Sequence, residues 1–206
     1  MSLPLHVAII SSPNFKDGED KMIVSLFKAG LSKFHLRKPD HSPSSVARLL
    51  KKIPTDYHKR IILHRAHELL NDFDLGGYHH RSDEKLKDVT GARSRSLHKI
   101  NELQIETDIL DYVFFGPVFH SISKAGHKPK VSLSNLSSAL EKLDMKGKRP
   151  LVYALGGIRR NKISTLVETG FDGFALLGSI WGKPDPVVAY REFNTSLQNI
   201  SRLQLR

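Results

Sequence analysis

The sequence predicts an α/β protein folded as a (βα)8 TIM barrel. Short apolar, β-branched or aromatic segments recur along the chain, and amphipathic stretches with apolar residues three and four apart lie between most of them. Eight such segments in 206 residues give about 26 residues per unit, at the short end for this fold. Strands that alternate with helices imply parallel pairing and right-handed crossovers. An open doubly wound sheet is the alternative, but no predicted strand leads into a Gly-x-Gly-x-x-Gly turn.

The predicted elements follow from local patterns. The predicted strands are residues 6–10, 33–36, 60–63, 75–79, 91–94, 112–115, 151–155 and 173–177. The predicted helices are residues 20–29, 44–52, 66–71, 97–103, 133–143, 162–169 and 187–197, with a further short helix starting at residue 178 or 179. Gly30 and Gly170 follow helices as left-handed residues, and Asp20, Ser44 and Ser132 are the expected N-caps.

The composition describes a globular chain. Hydrophobic residues make up 39% and charged residues 26%, which excludes disorder as the main state. We see no linker-like segment, so residues 1–206 are expected to form a single domain. No apolar run reaches the ~18 residues of a membrane span, and the first residues do not resemble a signal peptide. The chain contains no cysteine, which excludes disulfides, cysteine-bound zinc and thiol catalysis and predicts a cytoplasmic location.

The net charge of +11 points to an anionic partner. The basic residues are spread along the whole chain without a Lys/Arg run, and aromatic residues do not alternate with basic residues and glycine. Neither nucleic acid nor a membrane is therefore expected as a partner. Small phosphorylated substrates fit the pattern better.

Glycines after the last two strands indicate a phosphate site. Gly156 and Gly157 follow strand seven, and Gly178, Ser179 and Ile180 follow strand eight. Glycine lets backbone approach a ligand closely, and a helix N-terminus directs free N–H groups at an anion. These two loops are the usual phosphate site of a barrel, since ligands bind where its strands end.

Four cations are expected at the same end of the barrel. Arg37 and Lys38 follow strand two, Arg65 follows strand three, and Lys124 lies in the loop after strand six. Arginine binds phosphate oxygens in pairs and lysine acts as a compact charge. If the four converge, an anion such as a diphosphate would relieve their mutual repulsion.

Histidines are frequent at the strand ends, where His35, His64, His79, His80 and His120 fall. Imidazole serves as an acid, a base or a metal ligand, and it also lines wet cavities as a polar group. Both interpretations stay open, and the spacing does not match a helical metal motif such as His-Glu-x-x-His.

One acidic pair, Asp83-Glu84, is predicted near the mouth after strand four. Carboxylate oxygens suit Mg²⁺, so the pair is a candidate metal site. A role in capping or solvating the loop is the alternative.

Four segments in chain order resemble the thiamine-phosphate synthase family, which includes the thiazole tautomerase TenI. They are residues 34–38 (Phe-His-Leu-Arg-Lys), 111–119 (Asp-Tyr-Val-Phe-Phe-Gly-Pro-Val-Phe), 154–158 (Ala-Leu-Gly-Gly-Ile) and 170–180 (Gly-Phe-Asp-Gly-Phe-Ala-Leu-Leu-Gly-Ser-Ile). The resemblance covers nearly the whole chain and implies a (βα)8 barrel of thiamine biosynthesis.

The resemblance also implies a reaction and roles. The synthases join hydroxymethylpyrimidine diphosphate to a thiazole phosphate and expel diphosphate with Mg²⁺ through a dissociative step. By position, Arg37 would bind the diphosphate, His35 would replace a glutamine beside it, and Lys124 would stabilise the departing diphosphate. Ser121 and Ser123 would contact the substrates. The thiazole phosphate would be held by Gly157, Gly178, Ser179 and Ile180.

The chain departs from the family at several of these positions. Pro39 takes the place of a lysine, and His64-Arg65 replaces an Asn-Asp pair whose aspartate binds Mg²⁺, which leaves Asp83 or Glu84 as the remaining ligand. The tautomerases also lack that metal pair. At the position of their catalytic histidine, however, this chain has Pro117, and His120 is the nearest histidine that could replace it. A synthase, a tautomerase and a non-catalytic phosphate-binding barrel therefore stay open. The oligomeric state stays open too, with a homodimer among the options.

Overall fold

Eight parallel strands form a closed barrel in chain order in the computed structural model, which describes residues 5–105, 109–120, 129–145, 147 and 149–204. The strands are β1 His6–Ile10, β2 Lys33–Leu36, β3 Ile61–Leu63, β4 Gly77–His80, β5 Ala92–Leu97, β6 Tyr112–Phe115, β7 Leu151–Leu155 and β8 Gly173–Leu176. The last strand pairs with the first, with Ala8 opposite Ala175. The predicted (βα)8 barrel is therefore confirmed.

The helices lie between the strands, outside the barrel. They are α1 Glu19–Lys28, α2 Pro43–Leu50, α3 Leu69–Asp72, α4 Ile100–Ile105, α5 Leu133–Asp144, α6 Ile163–Thr169, α7 Gly178–Trp181 and α8 Pro186–Gln204. Short 3-10 turns cover Thr55–Arg60 and Arg160–Lys162. Within the described residues, no helix is both long enough and apolar enough to cross a membrane.

Two of the three predicted N-caps move for local reasons, and the third is confirmed. Helix α1 begins after Gly18, which has a φ of 67°, so the expected N-cap Asp20 lies inside the helix. Helix α2 is capped by Ser42, whose side chain accepts a hydrogen bond from the Ser45 N–H, rather than by Ser44. The expected cap Ser132 is confirmed by its bond from the Asn135 N–H.

Among the strands, β5 differs most from the prediction. It runs to Leu97, three residues beyond the predicted end, and this takes Leu97 out of the predicted fourth helix. The extension pairs Ser96 with Phe114 and Leu97 with Phe115 on β6. Two serines thereby lie on one face of the strand, since side chains alternate along it.

Each strand has side chains on two faces, an outer face towards the helices and an inner face towards the barrel interior. The outer layer packs strands against helices and contains the larger apolar cluster, for example Phe34, Val113 and Phe174. The inner layer holds a smaller cluster that includes Tyr112, Phe114 and Tyr153. On β2, β4, β5 and β6 the inner layer also contains polar side chains, which begin the site at the carboxyl ends of the strands.

Candidate functional site

A cavity of about 340 Å³ opens at the carboxyl ends of the strands. Gly156 and Gly157 line it after β7, and Gly178 and Ser179 line it from the start of α7. The sequence prediction placed these four residues together, and the structure does so. Ile180 is buried in α7 and contributes packing instead.

The glycine turn after β7 needs glycine at both positions. Gly156 has a φ of 94° and Gly157 a φ of 66°, both in the left-handed region. A Cβ at Gly157 would also meet the carbonyl oxygen of His120 and lie 2.6 Å from the Cβ of Phe119. The loop after β6 therefore packs directly on this turn.

Helix α7 is attached to β1, the strand that pairs with β8 where the barrel closes. The indole N–H of Trp181 donates to the carbonyl oxygen of Ile10 on β1 at 2.6 Å. This bond fixes the position of the preceding residues Gly178 and Ser179, which face the cavity.

Among the described residues, Arg37 is the cation that lines the same cavity. Its backbone is held by Ser11, whose hydroxyl donates to the Arg37 carbonyl and accepts from the Arg37 N–H, each at 2.9 Å. Burial lowers the pKa of the Arg37 guanidinium and the nearby charge of Arg65 adds to this, while Asp40 opposes it. An anion in the cavity would relieve this unfavourable environment.

The four expected cations do not all share one cavity. Lys38 is 2% exposed, and its ammonium donates to both carboxylate oxygens of Glu19 at 2.6 and 2.8 Å and to two backbone carbonyls. All of its donors are used inside the protein, so we do not retain Lys38 as a phosphate ligand. Arg65 is exposed and lines a neighbouring cavity of about 410 Å³ between the loops after β2, β3 and β4.

Three histidines meet inside the barrel mouth. His35 Nδ1 lies 2.9 Å from His64 Nε2, and the rings of His64 and His79 stack with centroids 4.2 Å apart. His35 Nε2 is 2.9 Å from the Tyr112 hydroxyl. His79 is held between the hydroxyls of Ser94 at 2.8 Å and Ser96 at 2.9 Å.

Burial keeps these three imidazoles neutral. It lowers the pKa of His79 to about 3, with the charges of His80, Arg37 and Arg95 adding to the effect. Burial also lowers the pKa of His35 and of His64 well below 6.5, and electrostatic repulsion from His79 lowers both pKa values further. At neutral pH the ring nitrogens are thus available as hydrogen-bonding groups or metal ligands.

The acidic pair after β4, the candidate magnesium site, forms ion pairs with cations of its own loop. The Asp83 carboxylate is exposed and forms a two-pronged ion pair with Arg81 at 3.0 and 3.1 Å. Glu84 accepts from the Arg81 N–H and pairs with Lys87 at 3.3 Å. Burial alone would raise the Glu84 pKa, but these contacts outweigh it and lower the pKa. Both carboxylates are already engaged, so the donor set does not fit Mg²⁺.

The remaining predicted site residues come from the loop after β6. His120 is exposed, and its backbone carbonyl faces Gly157. Ser121, Ser123 and Lys124 lie outside the described residues.

Sequence reasoning missed the inner-face partners of the histidines, namely Ser94, Ser96 and Tyr112. The strand's alternation was the available signal, because His79 pairs with Ser94 in the register of β4 and β5. The buried serine that contacts His79 is Ser94.

The fold and the cavity define the class of protein: a (βα)8 barrel with its candidate site at the carboxyl ends of the strands. A family model described as thiamine monophosphate synthase (TMP-TENI) matches residues 7–180. The chain belongs to this family, which confirms the resemblance drawn from its motifs.

Relatives that cover three quarters or more of the chain agree with this assignment. The thiamine-phosphate synthase of Shouchella clausii is 25% identical over 212 residues, covering 97% of this chain and 99% of that protein. The thiamine-phosphate synthase of Thermoplasma acidophilum is 30% identical over 161 residues, covering 75% of this chain and 73% of that protein. The crystal structure of thiamine phosphate pyrophosphorylase from Bacteroides thetaiotaomicron superimposes with a TM-score of 0.80 at 30% identity, over 97% of this chain and 98% of that one.

Proposed function

We propose that the chain is a transferase of thiamine biosynthesis that joins hydroxymethylpyrimidine diphosphate to a thiazole phosphate and releases diphosphate. The observation that carries the proposal is the match of the family over residues 7–180. The cavity supports it, since it combines a cation with two glycine-containing loops and so suits small phosphorylated substrates.

The described residues divide into two binding roles. The glycine turn at Gly156-Gly157, together with Gly178 and Ser179, offers backbone N–H groups to a phosphate. Arg37 faces the same space and would pair with the oxygens of a diphosphate. In a dissociative displacement the C–O bond to the diphosphate breaks first, and the thiazole then captures the cation. The chain's own contribution is to hold the two phosphorylated groups at fixed positions.

The decisive experiment incubates the purified protein with both substrates and measures thiamine phosphate and diphosphate together. We expect the two products in equal amounts, and strongly reduced formation with Arg37→Ala when the diphosphate substrate is below saturation. Arg48→Ala is the matched control, because Arg48 is exposed on α2 and does not line the cavity. Absence of thiamine phosphate, with and without added Mg²⁺, would contradict the proposal.

A tautomerase that moves protons on a thiazole phosphate is the second candidate function. A histidine at the mouth favours it, since His64 lines the cavity and its neutral imidazole could accept a proton from a bound substrate. The two functions differ in one measurement: a tautomerase converts the thiazole phosphate alone and forms no thiamine phosphate.

A further inference from the structure

The three histidines at the mouth have the arrangement of a metal-binding cluster. One ring nitrogen from each of His35, His64 and His79 lies within 4.8 Å of the other two. In the part of the chain that the structure describes, this is the only group of three or more histidine or acidic side chains brought so close. The three residues come from β2, from the position directly after β3, and from β4, so adjacent strands hold them.

We propose that His35, His64 and His79 bind one divalent transition-metal ion of the zinc, cobalt and nickel type. Imidazole nitrogen prefers these ions, whereas Mg²⁺ prefers carboxylate, carbonyl and water oxygens. The proposed site is therefore different in place and chemistry from the acidic pair after β4. It stands on the geometry of the cluster and does not depend on the proposed transferase activity.

The nitrogens that do not face the cluster already have partners. His35 Nε2 contacts the Tyr112 hydroxyl at 2.9 Å, and His79 Nδ1 contacts the Ser94 hydroxyl at 2.8 Å. Metal-binding histidines generally donate their second N–H to such a group, which fixes the ring and its tautomer. We assign His35 Nδ1 and His79 Nε2 as ligand atoms; without the ion they contact His64 Nε2 and the Ser96 hydroxyl.

The three ligand atoms lie within 4.8 Å of one another, and the His35–His64 pair needs only a small movement to admit an ion. His35 Nδ1 and His64 Nε2 are 2.9 Å apart, and two nitrogens on a tetrahedral zinc ion with bonds of about 2.0–2.1 Å are about 3.3 Å apart. His64 can supply this change because it lies beyond the end of β3 and is half-buried, while His35 and His79 are fixed inside the barrel. The His79 bond to Ser96 would be given up to the metal.

The fourth coordination position would face the cavity. His64 lines it together with Arg37 and Ser96, so an ion on the three rings would be open to water or to a ligand there. Three protein ligands with one open position is the pattern of catalytic zinc sites, whereas structural zinc sites have four. An oxygen of a bound phosphate is the kind of ligand that this position would accept.

The positive charge of Arg37 weakens the binding of a metal ion at the cluster. Its charge acts on both His64 and His79, and it therefore opposes a cation at the cluster. The titration below is accordingly carried to a large excess of metal.

The test uses the full chain without an affinity tag, stripped of metal with a chelator and titrated with Co²⁺. We expect visible absorption bands of four- or five-coordinate Co²⁺ that saturate at one ion per chain, displacement by Zn²⁺, and no displacement by excess Mg²⁺. His64→Asn and His79→Gln should weaken Co²⁺ binding at least tenfold. His67→Asn is the matched control, because His67 is exposed and lies outside the cluster, and it should bind as the wild type does.

Circular dichroism of the metal-free variants identifies any that fail to fold. His64→Asn decides the question if His79→Gln does not fold, because His64 is the least buried of the three. A wild-type chain with no saturable Co²⁺ band, or a folded His64→Asn variant that binds as tightly as the wild type, would overturn the proposal, as would displacement of Co²⁺ by Mg²⁺. Loss of synthase activity without loss of Co²⁺ binding would leave it standing, so the two proposals fail separately.

Discussion

Neighbouring residues at the end of one strand have opposite roles in this barrel. His79 points inward and contacts Ser94 and Ser96. His80, the next residue, points outward, where its Nε2 accepts from the Lys87 N–H at 2.9 Å and its ring packs on Tyr78. A histidine's place in the alternation of the strand therefore decides whether it can take part in the site.

At the residue scale, Gly157→Ala should destabilise the fold more than Gly18→Ala. The two glycines have nearly the same φ, 66° and 67°, so both alanines carry a left-handed cost of about 1–2 kcal/mol. Only Gly157 is crowded, because its new Cβ would press on Phe119 and on the His120 carbonyl, whereas Gly18 has no atom within 4 Å. We expect an additional loss of about 1–3 kcal/mol in urea unfolding. Equal losses would show that the loop after β6 yields without cost.

If the chain is a synthase, replacing Lys124 and replacing Arg37 should affect different steady-state constants, kcat for Lys124 and KM for Arg37. Negative charge grows on the leaving diphosphate as its bond to carbon breaks, so a lysine beside it stabilises the transition state more than the ground state. We expect Lys124→Ala to lower kcat by about 10²–10³. Arg37→Ala should act mainly on KM, because Arg37 holds the same diphosphate before the reaction. A Lys124→Ala enzyme with near-normal kcat and a raised KM would contradict this assignment.

At the element scale, a buried ion pair joins the start of α1 to the loop after β2. The ammonium of Lys38 contacts Glu19 at 2.6 Å, and both side chains are 1% exposed or less. The same ammonium also donates to the carbonyl oxygens of Ser12 and Asn14 at 2.9 Å, so it has no N–H left for water. The pair thus fixes the loop after β1 beside the barrel mouth.

Removing one partner of this pair should be far more harmful than removing both. Glu19→Gln leaves the Lys38 charge buried without its partner and should cost about 3–5 kcal/mol of unfolding free energy. The double variant Glu19→Leu with Lys38→Met should lie within about 1–2 kcal/mol of the wild type. Asp20→Asn, one residue further along α1, is the control for the loss of a helical carboxylate. Urea unfolding gives all four values, and a mild effect of Glu19→Gln would refute the structural role of the pair.

The periodicity of the sequence predicted which strands and helices exist better than it predicted where each one ends. Strands β1, β2, β6 and β7 match the prediction, because apolar segments of four or five residues are bounded there by turn residues. The end of β5 was not predictable in the same way. Its sequence, Ala-Arg-Ser-Arg-Ser-Leu, is polar, and pairing with β6 extends it to Leu97 against a local helical pattern.

At the scale of the whole molecule, closure of the barrel determines which predicted site residues meet. The rule that sites lie at the carboxyl ends of the strands was enough to predict that Arg37, Gly157 and Gly178 share a cavity. It could not predict that Lys38 is neutralised by Glu19, because their contact spans 19 residues and depends on how α1 packs. Nor could it predict the three-histidine cluster, which requires the register between β2, β3 and β4.

The stability of the metal-free molecule should fall steeply under mild acid. The pKa of His79 is about 3 in the folded state, whereas a histidine in an unfolded chain titrates near 6.5. Above 6.5 both states are neutral, and as the pH falls from 6.5 toward 3 only the unfolded state gains the proton. The unfolding free energy should therefore decrease by about 1.4 kcal/mol per pH unit in this window, or about 2 kcal/mol between about pH 7 and pH 5.

Urea unfolding at a series of pH values, with a chelator present, measures this dependence. His79→Gln should flatten the curve, because glutamine does not titrate. A wild-type stability that stays constant down to about pH 5 would show that the folded state accepts the proton on His79.

The position of Trp181 gives the molecule an internal optical reporter. It is the only tryptophan in the chain. Trp181 is the last residue of α7, whose first two residues line the cavity, and its indole N–H donates a hydrogen bond to the Ile10 carbonyl. A ligand that displaces water at Gly178 and Ser179 should alter the surroundings of this single emitter. The intrinsic fluorescence of the unlabelled protein would then record how much of the cavity is occupied, in real time and from one defined place beside it.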